Sequence, residues 1–204
     1  MFALRQPSRR RIERFLAAQR DRPFSYAAVG ASRAQPPAGY TLDHNRIQLG
    51  AGSATFAQAV AALRRWDMFR LGWVHLCWPA APLAVGTTVG VLAHTLGLWS
   101  LNACRIIYLV EQAGPVQRYG FAYGTLPGHV ERGEERFTVE WHHDDDSVWY
   151  DLLAFSQPNH IFAIIGYPLV RTLQKRFARD SKQAMLRGVR RETGGAGSPL
   201  DRVQ

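Results

Sequence analysis

The residues of this 204-residue chain whose types and spacing could do chemistry are polar groups set inside apolar, strand-like runs. Asp151 lies between Trp149 and Leu153 at a spacing of two, and Asn102, Cys104 and Tyr108 share a second parity. Glu134 and Glu135 enter a strand directly after a loop that holds His129, and Tyr123 alternates with small residues beside Tyr119 and Phe121. A carboxylate or phenol in an apolar cavity orients a ligand through hydrogen bonds, and burial that shifts its pKa makes it an acid or a base. Asp151, Glu135, His129 and Tyr123 are the candidates for such work, provided at least two converge within hydrogen-bond reach. The competing expectation for each is an ion pair with Arg105, Arg118 or Arg136 on the outer face of a sheet. Alternation alone does not say which face points inward, so no catalytic residue is assigned.

Other constellations carry less. His142-His143-Asp144-Asp145-Asp146 holds metal-ligand types, but adjacent strand residues point to opposite faces and an aspartate run between strands makes an ordinary turn. No zinc or calcium spacing is present, so no metal site is expected. Gly50-Ala51-Gly52 between a strand and a helix resembles the start of a dinucleotide fingerprint, but Thr55 stands where the third glycine belongs. A tight turn, and no cofactor, is the expectation there. There is no G-x-S-x-G elbow. Cys77 and Cys104 lack C-x-x-C spacing and are expected to be buried free thiols.

The elements that must position these groups follow from periodicity. Asp43 to Gly50 reads as a strand, followed by a helix from about Ala54 to Trp66 with Ser53 as its cap and Phe56, Val60 and Leu63 as its apolar stripe. From Gly72 the period is two. Strands are predicted at Trp73–Trp78, Gly86–His94, Leu101–Glu111, Gln117–Thr125, Glu134–His142 and Ser147–Ser156, joined by short turn-rich links. Short links dictate an antiparallel meander, because a parallel neighbour needs a long crossover. On one strand Gly120, Ala122 and Gly124 form a small-residue face that leaves room for a helix or a ligand.

The last long helix, Asn159 to about Arg190, is expected to break at Gly166-Tyr167-Pro168 after a short lead-in. Leu169, Leu173, Phe177 and Ala184, with Val170 beside them, form its apolar arc, with Arg171, Lys175, Arg179 and Lys182 opposite. Core contact is expected to end near Met185, and residues 191–204 read as a flexible tail. Residues 8–21 can form a basic amphipathic helix with Ile12, Phe15 and Leu16 on one side. The chain thus divides into a basic N-terminal helical arm (1–22), a domain (23–190) and the tail.

The net charge of +9 is localised. Residues 1–22 hold seven arginines against two acids and residues 159–204 nine cations against three, whereas residues 23–158 hold nine arginines against eleven acids. That distribution argues against a sheet-face nucleic-acid reader. It leaves, as an alternative function, a peripheral module binding anionic lipid or nucleic acid through the two arginine-rich helices. Weak association with an anionic membrane surface is then the expectation, and nucleic acid the less favoured partner. No apolar run approaches the ~20 residues of a membrane span and the basic N-terminus lacks an apolar signal core, which predicts a cytoplasmic protein. The oligomeric state stays open.

Strand, helix, six strands, long helix is therefore the order. A curved seven-stranded antiparallel sheet has one concave face to fill, and the closing helix is the element able to fill it, giving an α+β helix-grip fold. This order resembles the helix-grip superfamily of START and birch-pollen-allergen-like (SRPBCC) proteins. More narrowly, Tyr26-Ala27-Ala28-Val29-Gly30-Ala31, Asp43-His44-Asn45-Arg46, Phe121-Ala122-Tyr123-Gly124-Thr125-Leu126 and Gly133-Glu134-Glu135-Arg136-Phe137 resemble the uncharacterised domain-of-unknown-function family number nineteen-ninety. The resemblance runs from about Phe24 to Met185 and carries no established activity or catalytic residues. The superfamily implies a pocket for a small hydrophobic or amphipathic ligand between sheet and helix, with cyclase- or hydrolase-type enzymes in a minority of its branches. Tyr108, Tyr123, Glu135, Asp151, Leu169, Leu173 and Phe177 are the residues expected to line it.

Overall fold

The structure is a computed structural model and describes residues 1–159 and 167–193. The described residues form eight strands: β1 (Phe2–Ala3), β2 (Thr41–Ala51), β3 (Val74–Leu76), β4 (Thr88–Thr95), β5 (Leu98–Gln112), β6 (Val116–Thr125), β7 (Glu131–His142) and β8 (Ser147–Pro158). Three α-helices accompany them among the described residues: α1 (Arg9–Gln19), α2 (Gly52–Arg64) and α3 (Tyr167–Thr193). The sheet runs β2-β8-β7-β6-β5-β4-β3, every pairing antiparallel, with β1 added against β5. β3 to β8 form the antiparallel meander that the short links dictate, β2 completes the seven-stranded sheet beside β8, and a two-residue strand extends it. The expected lead-in helix and its break at Gly166 lie outside the described residues.

The concave face carries Phe121 and Tyr123 of β6, Phe137 and Val139 of β7 and Tyr150 and Leu152 of β8, all buried. α2 begins at Gly52, two residues before its expected start, so Ser53 lies inside the first turn and caps nothing. The helix is instead anchored by the Gly52 amide donating to the Asp146 carbonyl at 2.9 Å. It buries Phe56, Ala59, Ala62 and Leu63. Trp66 then takes a left-handed φ of 57°, which turns residues 67–69 inward and delivers Phe69 to the core. Phe69 sits among Tyr123, Phe137 and Phe177, with ring centroids 5.5 to 6.2 Å apart.

α3 lies across this face against α2 and the 67–69 turn. Its buried stripe is Ala178, Ser181, Ala184, Met185, Gly188 and Val189, so core contact runs one turn beyond Met185. Gly188 makes this close approach practicable, because a Cβ there would stand 2.9 Å from Asp67 Oδ2 and 3.1 Å from Ala62 Cβ. Ser181 belongs to the stripe because its hydroxyl meets Tyr150 Oη at 2.9 Å. A buried polar group with such a partner is no penalty to packing.

The convex face is covered as well. α1 is capped by Ser8 and buries Ile12 against Leu92 and Leu101. Its last carbonyls, on Gln19 and Arg20, accept from the Arg105 guanidinium, a cation suitably placed at a helix C-terminus. The small-residue face of β6 also points to this side. Tyr26 and Phe24 lie over Gly124, where a Cβ would come within 2.3 Å of the Tyr26 hydroxyl. At Gly124 the bulky neighbour that is admitted is therefore the chain's own N-terminal segment, whereas at Gly120 the space is taken by Phe137 and Thr138 of β7.

Candidate functional site

The concave face is not filled completely. A cavity of about 550 Å³ lies between the sheet and the first half of α3. Phe69, Trp73, Val91, Leu152, Leu173 and Phe177 are among its apolar walls. That volume falls within the usual range for small-molecule sites, which combine apolar walls with a few placed polar groups.

The polar groups gather at one end. Tyr123 and Glu135 are direct cross-strand partners on β6 and β7, which puts both side chains on the same face. The Tyr123 hydroxyl donates to Glu135 Oε2 at 2.6 Å. Burial raises the Glu135 carboxyl to about 7, with Glu131 and Asp43 adding to the rise and the Tyr123 hydrogen bond opposing it. The surface that Glu135 retains opens onto the cavity. Burial also pushes the Glu131 carboxyl up, against hydrogen bonds from Gln174 and Ser156. Asp43 is held by a bidentate Arg171 guanidinium at 2.5 and 2.7 Å, which ties the edge strand to the start of α3. His129, in the β6–β7 loop, lines the same end and accepts the Glu131 amide at Nδ1. Burial holds its pKa down to about 4, so the ring is neutral near pH 7.

Of the seven residues expected to line the cavity, Tyr123, Glu135, Leu173 and Phe177 do so. Tyr108 lies on the convex face. A bulge between Ile106 and Tyr108 inverts the parity that it would share with Asn102 and Cys104, and its hydroxyl meets Ser32 Oγ at 2.6 Å. Asp151 also faces outward. It is 3% exposed and lies among Arg46, Arg136 and His44, at 3.2, 3.2 and 2.6 Å. That is the outer-face ion pairing that alternation left as its competing reading. Leu169 is 45% exposed in the first turn of α3, and Val170 lines the cavity in its place. Among the four acid–base candidates, the structure brings Tyr123 and Glu135 into hydrogen-bond contact and puts His129 at the same end. Asp151 is on the other side of the sheet.

Glu134, adjacent to Glu135, points outward and is 3% exposed. It accepts from the Tyr26 hydroxyl at 2.8 Å, the amides of Gly30 and Ser32, and the Ser32 hydroxyl. Two consecutive carboxylates thus serve opposite faces, one holding a loop and one facing a cavity.

The remaining motifs are structural turns and isolated thiols. In the β7–β8 turn Asp145 accepts the Ser147 amide and Asp146 the Trp141 indole N–H. Among the described residues no three His, Cys, Asp or Glu side chains are grouped to hold a metal. Cys77 and Cys104 are free, and burial pushes the Cys77 thiol up to about 12. No described helix is long and apolar enough to cross a membrane.

A family model described as "Domain of unknown function (DUF1990)" matches residues 25–184. The chain belongs to the DUF1990 family. Relatives of this DUF1990 chain include a UPF0548 protein of Dictyostelium discoideum, 38% identical over 93% of the chain and 96% of the relative. A UPF0548 protein of Deinococcus radiodurans is 38% identical over 93% of the chain and 99% of the relative. Among solved structures, Ara h 8.0201 aligns with a TM-score of 0.45 at 11% identity, covering 72% of this chain and 99% of that one. A Thalictrum norcoclaurine synthase point mutant in complex with a transition state analogue aligns with a TM-score of 0.45 at 14% identity, covering 78% and 99%.

Several lining groups of the DUF1990 chain escape a reading of the sequence. Phe69 sits in the link between helix and meander, where periodicity has no purchase. Glu131 belongs to β7 because that strand starts three residues before the alternation becomes visible. Gln174 is polar within an apolar helical stripe, and only its hydrogen bonds to Glu131 and Ser156 explain its place there. Asp43 and Asn45 could have been found, since they share their strand parity with Ile47.

Proposed function

We propose that this protein binds a small hydrophobic or amphipathic molecule in the cavity between its sheet and its C-terminal helix. The observation that carries the reading is the 550 Å³ space itself, walled by apolar side chains and ending in the Tyr123–Glu135 pair. A core of this size would otherwise be packed, because voids larger than a water molecule forfeit contacts on every side. Tyr123, Glu135, Leu173 and Phe177 would contact the occupant. Tyr108, Asp151 and Leu169 would not.

The test is native mass spectrometry of protein purified from cells, followed by organic extraction. A stoichiometric small molecule, or a stability gain on adding lipids, sterols or aromatic polyketides, supports the reading. An unoccupied protein indifferent to all of them overturns it.

A second reading, an enzyme of cyclase or hydrolase type, is favoured by one specific observation. Tyr123 and Glu135 are in hydrogen-bond contact, and the carboxyl is held at about 7, where it can both take and give a proton near neutrality. Turnover of the extracted molecule that disappears in Glu135→Gln and Tyr123→Phe, with binding retained, would establish it. Binding without turnover in the wild type would remove it.

A further inference from the structure

The chemistry at the polar end narrows the class of occupant, on the premise that the cavity binds a ligand. Three carboxylates, Asp43, Glu131 and Glu135, reach this end from β2 and β7. Two of them are occupied by the protein. Asp43 holds Arg171 through both oxygens, and Glu131 receives Gln174 and Ser156. Glu135 differs. Its hydrogen-bond partner among the described residues is Tyr123, on one oxygen, and no described cation stands in an ion pair with it. Around it from the other elements stand Cys104 of β5, Tyr150 of β8 and the Asp43 and Glu131 carboxylates, none of them cationic. The cations of α3 near this cavity are Arg171, held by Asp43, and the exposed Lys175 in its lining. The nearby His129 is neutral. Phe69, Trp73 and Phe177 line the same cavity, with the Arg176 guanidinium already 4.4 Å from the Trp73 ring centroid.

We infer that the occupant is an amphipathic amine, an apolar body ending in a protonated nitrogen that pairs with the Glu135 carboxylate. A buried carboxylate with an open oxygen is a poor host for an anion, which would meet a like charge whenever Glu135 is ionised. A cation is drawn to it by a charge-assisted hydrogen bond, about twice as strong as a neutral one. Aromatic faces add to that attraction. The protons balance: an uncharged Glu135 carboxyl meets R–NH3+, the carboxyl releases one proton to solvent, and the ion pair remains. Amine binding therefore strengthens as pH rises through the range in which Glu135 ionises. Tyr123 and Cys104 keep their protons throughout that range, since burial raises both.

The test uses three probes of one shape, phenylbutylamine, phenylbutanol and phenylbutyrate, titrated calorimetrically into the full chain. The amine is expected to bind at least about tenfold tighter than the alcohol at about pH 8, and the carboxylate most weakly. Between about pH 6 and pH 8 amine affinity should rise about tenfold with proton release, while alcohol affinity stays flat. Glu135→Gln should bring amine and alcohol to within about twofold of each other, with alcohol binding retained as proof that the cavity is intact. Should that variant fold poorly, the wild-type pH series decides alone. Alcohol or carboxylate binding as tight as the amine overturns the inference and leaves the cavity reading standing. Failure of all three probes overturns it too, and cellular extraction then judges the cavity reading separately.

Discussion

Removing the Glu134 carboxylate should loosen the N-terminal segment without touching the cavity. Glu134 is buried on the convex face and accepts from four donors, all supplied by residues 26–32. Hydrogen bonds to a charged group contribute about 1.5–3 kcal/mol each, which gives a gross range of about 6–12 kcal/mol. Burying the carboxylate costs several kcal/mol, and truncation recovers that cost. The two hydroxyl donors can rotate elsewhere. The amides of Gly30 and Ser32 cannot, and each stranded amide costs about 1–3 kcal/mol. Glu134→Ala should therefore lose about 3–5 kcal/mol, or about 6–20 °C in Tm for a chain of this size. Glu134→Gln keeps one accepting oxygen and turns an NH2 toward the other donors, so its loss should be about half as large. Urea and thermal denaturation give the magnitudes. Hydrogen exchange at Gly30 and Ser32 gives the location, since these amides should exchange faster in the alanine variant. Losses below about 1 kcal/mol, or unchanged protection at both amides, would refute the clamp. Loss of ligand binding in a folded Glu134→Ala protein would refute the separation of the two faces.

Gly124→Ala should drive the Tyr26 hydroxyl off Glu134 and cost about 1–3 kcal/mol. In a double-mutant cycle with Tyr26→Phe the two losses should be strongly sub-additive, and simple addition would contradict the shared contact. Glu135 sits with its folded pKa raised from 4.5 to about 7, so its protonated form favours the fold. That contribution is complete below about pH 4.5 and fades as pH climbs through 7, and Glu135→Gln should remove this fall from the urea-derived pH profile. A variant profile parallel to that of the wild type would refute the shift. Leu173→Trp should fill part of the cavity, lower small-molecule occupancy in native mass spectra several-fold and hold or raise Tm. Undiminished occupancy would mean that the ligand sits elsewhere.

The architecture was legible because the two periods change cleanly at Gly72 and the links between strands are too short for crossovers. The site was legible only in part, since a period of two gives two faces without saying which is inner. On β6 the choice follows from the segment at Phe24 and Tyr26, which packs on the small residues and turns Tyr119, Phe121 and Tyr123 inward. Nothing local to β6 encodes that. The bulge at Ile106–Tyr108 likewise defeats parity, since one extra residue moves every later side chain to the opposite face. Asp151 reads correctly as paired once β8 is registered against β2 and β7, because Arg46 and Thr138 then stand directly opposite and Arg136 lies diagonally. On α3 the apolar residues suggested an arc through Leu169, whereas Gln174 and Ser181, polar but bonded to the sheet, shift it toward Val170 and Ala178.

The sheet order has a further consequence, for synthesis. β2 is an edge strand whose neighbour is β8, and Leu42 pairs with Phe155 across more than half the chain. As the chain leaves the ribosome, β2 and α2 emerge before the meander, and β2 must wait for residues up to 158 before it can dock in its final place. The hairpins β4–β5, β5–β6 and β6–β7 can meanwhile close one after another. Pairings of such long separation make folding slow and expose an unpaired edge for the interval. The charges and polar groups along β2, from Asp43 to Gln48, are then what keeps that waiting edge from pairing with another chain.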